Sequence, residues 1–212
     1  MKVYYGYDSK SYTLEDKIGG DGAGEIFPVV NRDNIVAKIF RKREKQHDDK
    51  VNALRHLPWS EDIKKFVVLP EVILFEDQQR KKQCGFIMDK VDCLTLLMTT
   101  YKGSRPLSIR RRAILVFRLC EALSAIHNNG GREKGLLLMD DFNFNNIAVD
   151  RINGSIKIID TDSFHLKICK KRVVLPCKEL YPDFFPPEII SLQKSHNNAT
   201  FEQLCSKVAP RL

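Results

Sequence analysis

Residues 18–40 read IGGDGAGEIFPVVNRDNIVAKIF. A glycine-rich segment is followed by two apolar runs, EIFPVV and NIVAKIF, which the turn residues NRDN separate. This pattern predicts two adjacent strands. The glycines let the backbone approach a ligand, and successive N–H groups in such a turn can bind phosphate oxygens. Because a strand follows and not a helix, the Rossmann and Walker patterns fit poorly, and a hairpin turn without a ligand stays open as the alternative.

Lys38 is a single cation inside the second apolar run. Lysine is almost never buried without a partner. On an alternating strand it shares a face with Val36 and Phe40, so we expect its side chain to point inward. A surface lysine whose alkyl stem covers apolar neighbours is the alternative.

The composition favours a globular protein with a hydrophobic core, since 43% of the 212 residues are hydrophobic. The six cysteines form no CxxC or CxxH pair, which favours reduced thiols over a zinc site or a disulfide framework. Cys169 and Cys177 are the two that lie close enough in sequence to pair. No signal-peptide pattern and no apolar run of roughly 20 residues is present. We therefore expect a cytoplasmic protein that does not bind a membrane.

The net charge is +8, from 35 lysines and arginines against 27 acidic residues. It is concentrated in four runs: RKREK at 41–45, RKK at 80–82, RRR at 110–112 and KICKKR at 167–172. Such runs are typical of solvated faces, or of surfaces that bind an acidic partner or a polyphosphate. Nucleic acid fits less well, because aromatic residues do not alternate with the basic ones.

The pattern along the chain changes near residue 92. Before it, short strand-like runs dominate, with one helix predicted over about 45–57. After it, Ser108 is predicted to cap a helix that runs to about Asn128. The buried face of that helix is formed by Leu115, Leu119, Ala122 and Ile126. A β-rich unit followed by a helical unit predicts a cleft between the two.

A polar loop separates two apolar runs in LLLMDDFNFNNIAVD, residues 136–150. Asp141 and Asn146 lie in it, and Asp160 follows the next apolar run, SIKII, across a predicted Asn153-Gly154 turn. Carboxylate and amide oxygens suit Mg²⁺, and an aspartate that is not a ligand could orient a hydroxyl. A loop that caps its own backbone through Asx turns is the alternative.

The order of a glycine-rich turn, a strand lysine, D-x4-N and an aspartate after an apolar strand resembles the protein-kinase signature set. The resemblance covers residues 14–190 and is closest to bacterial kinase-like proteins with GDxNxxN and DTDSF segments, such as the TerY-associated and helix-hairpin-helix-linked kinases. The matching residues read MDDFNFNNIAV and IIDTDSFHL. The resemblance implies an α+β, bilobal fold, with a β-rich N-lobe over residues 1–91 and a helical, truncated C-lobe over 92–212.

The resemblance also implies ATP and Mg²⁺ as cofactors. Lys38 would hold the α and β phosphates of ATP, beneath a phosphate-covering turn. Two segments would bind the nucleotide. The phosphate-covering turn contains Gly19, Gly22 and Gly24. The adenine-facing segment contains the gatekeeper Met88 and the backbone of Asp89, Lys90 and Val91.

On the catalytic side, Asp141 resembles the catalytic aspartate, and Asn146 and Asp160 resemble the magnesium ligands. The PPE at 186–188 resembles the end of an activation segment, in which Thr161 and Ser163 would be regulatory hydroxyls.

The chain departs from the family pattern in several places. Asp21 stands where the turn usually has its second glycine, and Asn143 stands where many kinases have a lysine. Met139 and Asp140 replace the usual His-Arg, and no helix glutamate is evident near Asn52 to pair with Lys38. The candidates upstream are Glu44, Asp48 and Asp49. The chain ends soon after the PPE, so we expect a fragment, a minimal kinase, or one that a partner completes.

The leading functional prediction is an ATP- and Mg²⁺-dependent phosphotransferase acting on protein Ser or Thr hydroxyls, with Asp141 orienting the acceptor. A pseudokinase that serves as a nucleotide-binding or docking module for a partner protein is the second possibility. Phosphorylation of a small molecule, or another transfer from ATP such as adenylylation, is the third.

Overall fold

The computed structural model describes residues 2–20, 24–42, 44–92, 94–95, 107–128, 136–138, 143–150, 154–168 and 173–175. The strands are β1 Lys2–Gly6, β2 Ser11–Leu14, β3 Gly24–Val29, β4 Arg32–Phe40, β5 Val72–Phe75, β6 Gln83–Asp89, β7 Leu94–Thr95, β8 Leu136–Leu138, β9 Ile147–Val149, β10 Ile156–Ile158, β11 His165–Ile168 and β12 Val173–Leu175. The helices are α1 Lys45–His56, α2 Glu61–Phe66 and α3 Ile109–Asn128, with a 3-10 turn at Thr161–Ser163.

Six strands form a closed antiparallel barrel in the order β1-β2-β3-β4-β6-β5. The pairing of Tyr5 with Phe75 joins β1 to β5 and closes it. The apolar side chains inside are Tyr4, Tyr12, Leu14, Val29, Ile35, Ala37, Leu74, Cys84 and Ile87. The predicted strands EIFPVV and NIVAKIF are confirmed as β3 and β4.

The predicted helices are confirmed as α1 and α3. Helix α1 ends before Pro58, as expected of a residue that cannot continue a helix. Ser108 caps α3 by accepting a hydrogen bond from the Arg111 amide at 3.4 Å. Helix α2 was not predicted, although Ser60 is a good N-cap and accepts from the Ile63 amide. No helix in the described ranges has both the length and the apolar character to cross a bilayer.

The two small sheets lie outside the barrel. Their strand orders are β10-β9-β7 and β12-β11-β8. The first contains the predicted hairpin, which turns at Gly154 with φ +69°. A second apolar core unites this sheet with the three helices, and its fully buried members are Leu54, Ile63, Ala122, Ile126, Ile147, Ile158, Phe164 and Leu166. The core therefore draws on residues from both sides of residue 92.

The predicted bilobal, kinase-like α+β fold with a helical second half is wrong. The described residues form a six-stranded closed barrel and are mostly β, with three helices. After residue 92 they contain one helix, α3, and six strands. The physical reason is that short apolar runs after residue 92 form strands that pair with other strands: IAV and IKI pair with each other across the turn at Gly154, and LLL pairs with β11.

Cys84 is buried and Cys120 is exposed, and neither of these two is part of a disulfide. This agrees with the expectation of reduced cysteines for these two residues. The pairing considered for Cys169 and Cys177 lies outside the described residues.

Candidate functional site

Lys38 lies on β4, on the face that points away from the barrel interior. Its neighbours Ala37 and Ile39 pack on the barrel core, whereas Phe40 packs on a separate cluster with Val51 of α1. The lysine shares its face with Val36 and Phe40, as the alternation predicts, and it is 5% exposed. The Lys38 side chain is therefore directed into the protein, as expected. It is buried beneath other elements and does not enter the barrel.

Two carboxylates meet the Lys38 ammonium. Its Nζ donates to both oxygens of Asp162, at 2.7 and 2.9 Å. It also donates to Oδ1 of Asp160. The Asp162 side chain is 4% exposed, whereas that of Asp160 is 35% exposed. The strand lysine and the predicted metal-ligand aspartate are thus in direct contact.

Burial and charge act in opposite directions on the lysine. Burial by itself lowers the pKa of the Lys38 ammonium, because desolvation disfavours the charged form. The carboxylates of Asp162 and Asp160 outweigh this and hold the pKa above its ordinary value. The site therefore contains one cation and two carboxylates.

The segment that carries the two aspartates is anchored on the second core. The Thr161 hydroxyl donates to the Val68 carbonyl at 2.9 Å, and the Val68 amide donates to Ile158 at the same distance. Phe164 is fully buried in the core. Asp160 itself has φ +63°, a left-handed conformation that is uncommon outside glycine. Buried side chains therefore fix the turn on both sides of Asp162.

The expectation that Thr161 is a regulatory hydroxyl is not supported, because it is 2% exposed and its hydroxyl is already bonded. Ser163 is partly exposed, and its hydroxyl donates to the Asp160 carbonyl at 2.7 Å. Both hydroxyls therefore shape the turn.

Asn146 lies beside Asp160 because β9 and β10 pair. Ile147 is in register with Ile158, and the Ile159 amide donates to the Asn146 carbonyl at 2.9 Å. The Asn146 side chain is buried. The sequence therefore brings Asn146 and Asp160 to the same end of this hairpin.

The hydrogen bonds of Asn143 agree with the alternative in which the loop caps its own backbone, at this one position. Its Oδ1 accepts from the amides of Asn145, at 2.8 Å, and Asn146, at 3.2 Å. This is an Asx turn that fixes the approach to β9. The predicted catalytic residue Asp141 lies outside the described residues, as does the PPE at 186–188.

The described residues that flank the glycine-rich turn pair with each other, and Gly24 lies against Lys38. The Ile26 amide donates to the Gly19 carbonyl, and the Ile18 amide donates to the Ile26 carbonyl, both at 2.9 Å. A Cβ atom added at Gly24 would lie 3.1 Å from Cε of Lys38. Gly24 therefore allows the turn to lie against the alkyl stem of the lysine. Gly22, like Asp21, lies outside the described residues.

The predicted adenine-facing segment lies at the end of β6. Met88 is in register with Val36, one alternation along β4 from Lys38, and it packs on the cluster of Phe40 and Phe86. Asp89 pairs in register with Ile35. Val91 is partly exposed just beyond the strand. The Lys90 amide donates to the Asn34 carbonyl at 2.9 Å, so this amide already has a partner.

Asp162 is the functional candidate that the sequence analysis missed. The resemblance predicts a lysine partner on α1 near Asn52, but the side-chain amide of Asn52 donates to the Asp48 carbonyl and to the side-chain oxygen of Gln83. The available signal was the second carboxylate of DTDSF, placed just before a buried aromatic residue. An aspartate in such a position is almost never buried without a partner.

The site brings the carboxylates of Asp160 and Asp162 to the Lys38 ammonium. These carboxylates do not by themselves form a complete set of metal ligands. Within the ranges described, no three His, Cys, Asp or Glu side chains converge on a point where a metal could sit.

Neither the models of known protein families nor the curated proteins contain a match to this chain.

Proposed function

We propose that this protein transfers a phosphoryl group from ATP, with Mg²⁺, to a Ser or Thr hydroxyl of a protein substrate. The observation that carries the proposal is the contact between the buried Lys38 ammonium and the Asp160 carboxylate, beside the turn that contains Gly24. The proposal concerns the chemistry of this site and does not require the bilobal fold.

Phosphoryl transfer depends on positioning and charge neutralisation more than on covalent chemistry. Lys38 supplies a fixed positive charge for phosphate oxygens. Gly19 and Gly24 supply backbone that can approach those oxygens closely. The end of β6, from Met88 to Val91, is the proposed adenine side, where the peptide groups of Asp89 and Val91 are the candidates for base recognition.

The residues present fit Mg²⁺ in their donor chemistry. Mg²⁺ takes oxygen ligands and usually keeps several waters beside one or two carboxylates and the substrate phosphates. Asp160 is the carboxylate with an accessible side chain, and Asn146 lies at the same hairpin end. These two residues would hold the ion, which would supply charge neutralisation at the phosphates. Asp141 is the proposed residue that orients the acceptor hydroxyl.

A second candidate function is a docking module that transfers nothing. The observation in its favour is that two carboxylates already match the Lys38 charge. Such a buried ion pair can be part of the fold without binding any nucleotide.

The test is mass spectrometry of the intact protein after incubation with Mg²⁺ and ATP, with a generic acidic protein substrate such as casein present. We expect the mass of one or more phosphates on the protein or on the substrate, and none with Asp141→Ala. Glu61→Gln, an exposed change at the start of α2, serves as the control. Equal transfer by wild type and Asp141→Ala would overturn the assignment, an added adenylyl mass would replace it with adenylylation, and silence in all samples would favour the docking module.

A further inference from the structure

Lys38 has two carboxylate partners that differ in kind. Asp162 is buried and bonds the ammonium with both of its oxygens. Asp160 is one-third exposed and bonds it with Oδ1. Both partners come from the DTD segment, and neither of them comes from α1.

The surroundings fix Asp162 and leave more freedom to Asp160. Thr161 and Phe164 are buried on either side of Asp162, and their contacts hold the short 3-10 turn against Val68 and the second core. Moving the Asp162 carboxylate would expose a buried charge or leave the lysine unpaired, and both are costly. The Asp160 side chain is 35% exposed, so its carboxylate can be hydrated when it leaves the lysine.

We propose that Asp162 is the positioning residue for Lys38, holding its ammonium in place while Asp160 exchanges between the lysine and the metal-nucleotide complex. This rests on the proposed function. Asp162 touches neither nucleotide nor metal and acts through the lysine. Asp162 has the role that the resemblance assigns to a helix glutamate on α1. The lysine of this protein is therefore positioned by the same segment that carries the proposed metal ligand.

The arrangement has a consequence for charge. With both carboxylates on Lys38, the site carries one excess negative charge, which opposes ATP. If Asp160 turned to a cation, Lys38 and Asp162 would remain as a neutral pair, and the ammonium would have one donor left for a phosphate oxygen. ATP binding is therefore coupled to binding of the cation, because Lys38 releases Asp160 and keeps Asp162.

The test compares Asp162→Asn and Asp160→Asn, with Asp33→Asn, an exposed aspartate at the start of β4, as the matched control. Calorimetric titration with ATP, with and without Mg²⁺, gives the affinities. We expect Asp162→Asn to weaken ATP binding about tenfold or more in both conditions, since a hydrogen bond to a charged group contributes roughly that much. We expect Asp160→Asn to remove the benefit of Mg²⁺ and to leave metal-free ATP binding equal or stronger. Asp33→Asn should match wild type.

The role of Asp162 is separated from a purely structural one by repeating Asp162→Asn in a Lys38→Met background. If Asp162 acts through the lysine, the substitution has no further effect on ATP affinity there. Unchanged or increased ATP affinity of Asp162→Asn with Lys38 present would overturn the inference, even if the variant melts at a lower temperature. If wild type itself binds no ATP, the proposed function fails, which is a different result.

A measurement on wild type keeps the inference testable if Asp162→Asn does not fold. The side-chain carboxyl carbons of Asp160 and Asp162 can be followed by nuclear magnetic resonance while Mg²⁺ and ATP are added. We expect the Asp160 resonance to shift and the Asp162 resonance to stay near its starting position. A shift of Asp162 as large as that of Asp160 would contradict a fixed partner.

Discussion

Two turns reach Lys38 from different parts of the chain, and they are held in different ways. The glycine-rich turn is flanked by two backbone hydrogen bonds, from the Ile26 amide to the Gly19 carbonyl and from the Ile18 amide to the Ile26 carbonyl. The turn from Asp160 to Ser163 is fixed by buried side chains, among them Thr161 and Asp162. The segment beside the first turn is therefore held through its backbone, and the second turn through side chains that place a charged group. The lysine between them joins the barrel to the second core.

The largest effect is expected from Lys38→Met, which removes the group that both turns share. It leaves the buried Asp162 carboxylate without its cation, and breaking such a pair costs about 3 kcal/mol or more of the free energy of unfolding. Urea denaturation of the variant and wild type measures it. Lys17→Met, which affects an exposed pair with Glu25, is the control and should change the free energy by less than about 1 kcal/mol. A Lys38→Met protein as stable as wild type would show that the pair does not hold the two cores together.

Gly85→Ala tests how tightly the strand beneath the lysine is packed. An added Cβ would lie 2.1 Å from the Lys38 carbonyl oxygen, so β4 and β6 must separate. We expect a loss of about 1–3 kcal/mol in the free energy of unfolding, as for other overpacked sites. Gly19→Ala is the matched control, because its Cβ would meet nothing within 4 Å. Equal denaturation midpoints for the two variants would contradict this packing.

Thr161→Val removes the hydroxyl that anchors the DTD turn but keeps the side-chain shape. The Val68 carbonyl loses its donor, and we expect about 1–2 kcal/mol of destabilisation. Ser163→Ala, whose hydroxyl bonds only within the turn, should cost less. Thermal unfolding of the two variants checks this. A lower melting temperature for Ser163→Ala than for Thr161→Val would contradict the anchoring role of Thr161.

The smallest effect concerns pH. The pKa of Lys38 is raised above its ordinary value of 10.5, so its contribution to stability is fully present below that value and is lost as pH rises through the folded-state pKa. The difference in unfolding free energy between wild type and Lys38→Met should therefore stay constant from about pH 7 to about pH 9. A difference that shrinks over this range would mean that desolvation outweighs the two carboxylates.

The strands and the long helix could be predicted because their signals are local. The runs EIFPVV and NIVAKIF alternate around a turn, and the apolar spacing of α3 has the helical period. Closure of the barrel could not be predicted in this way, because it depends on the pairing of Tyr5 with Phe75, which are distant in sequence. Of the six short strands after residue 92, the hairpin of β9 and β10 was predicted from its Asn153-Gly154 turn. Strands β7, β11 and β12 were missed, because two- to four-residue runs have no clear period.

The meeting of Lys38 and Asp160 was predictable from the order of the motifs, since the resemblance assigns both to one nucleotide. The part played by Asp162 was not, because burial of that carboxylate depends on how Thr161 and Phe164 pack. In a segment with two aspartates, the sequence does not tell which one faces solvent. Packing decides this, through the second core.

The most direct test of a nucleotide site at Lys38 is to follow backbone amide resonances of the wild-type protein while Mg²⁺ and ATP are added. We expect the largest shifts at Gly24, Lys38 and Asp160, with smaller ones near Asn146 and Met88. The absence of shifts at millimolar nucleotide, or shifts that cluster on α3 and leave Lys38 and Asp160 unchanged, would contradict the proposed site.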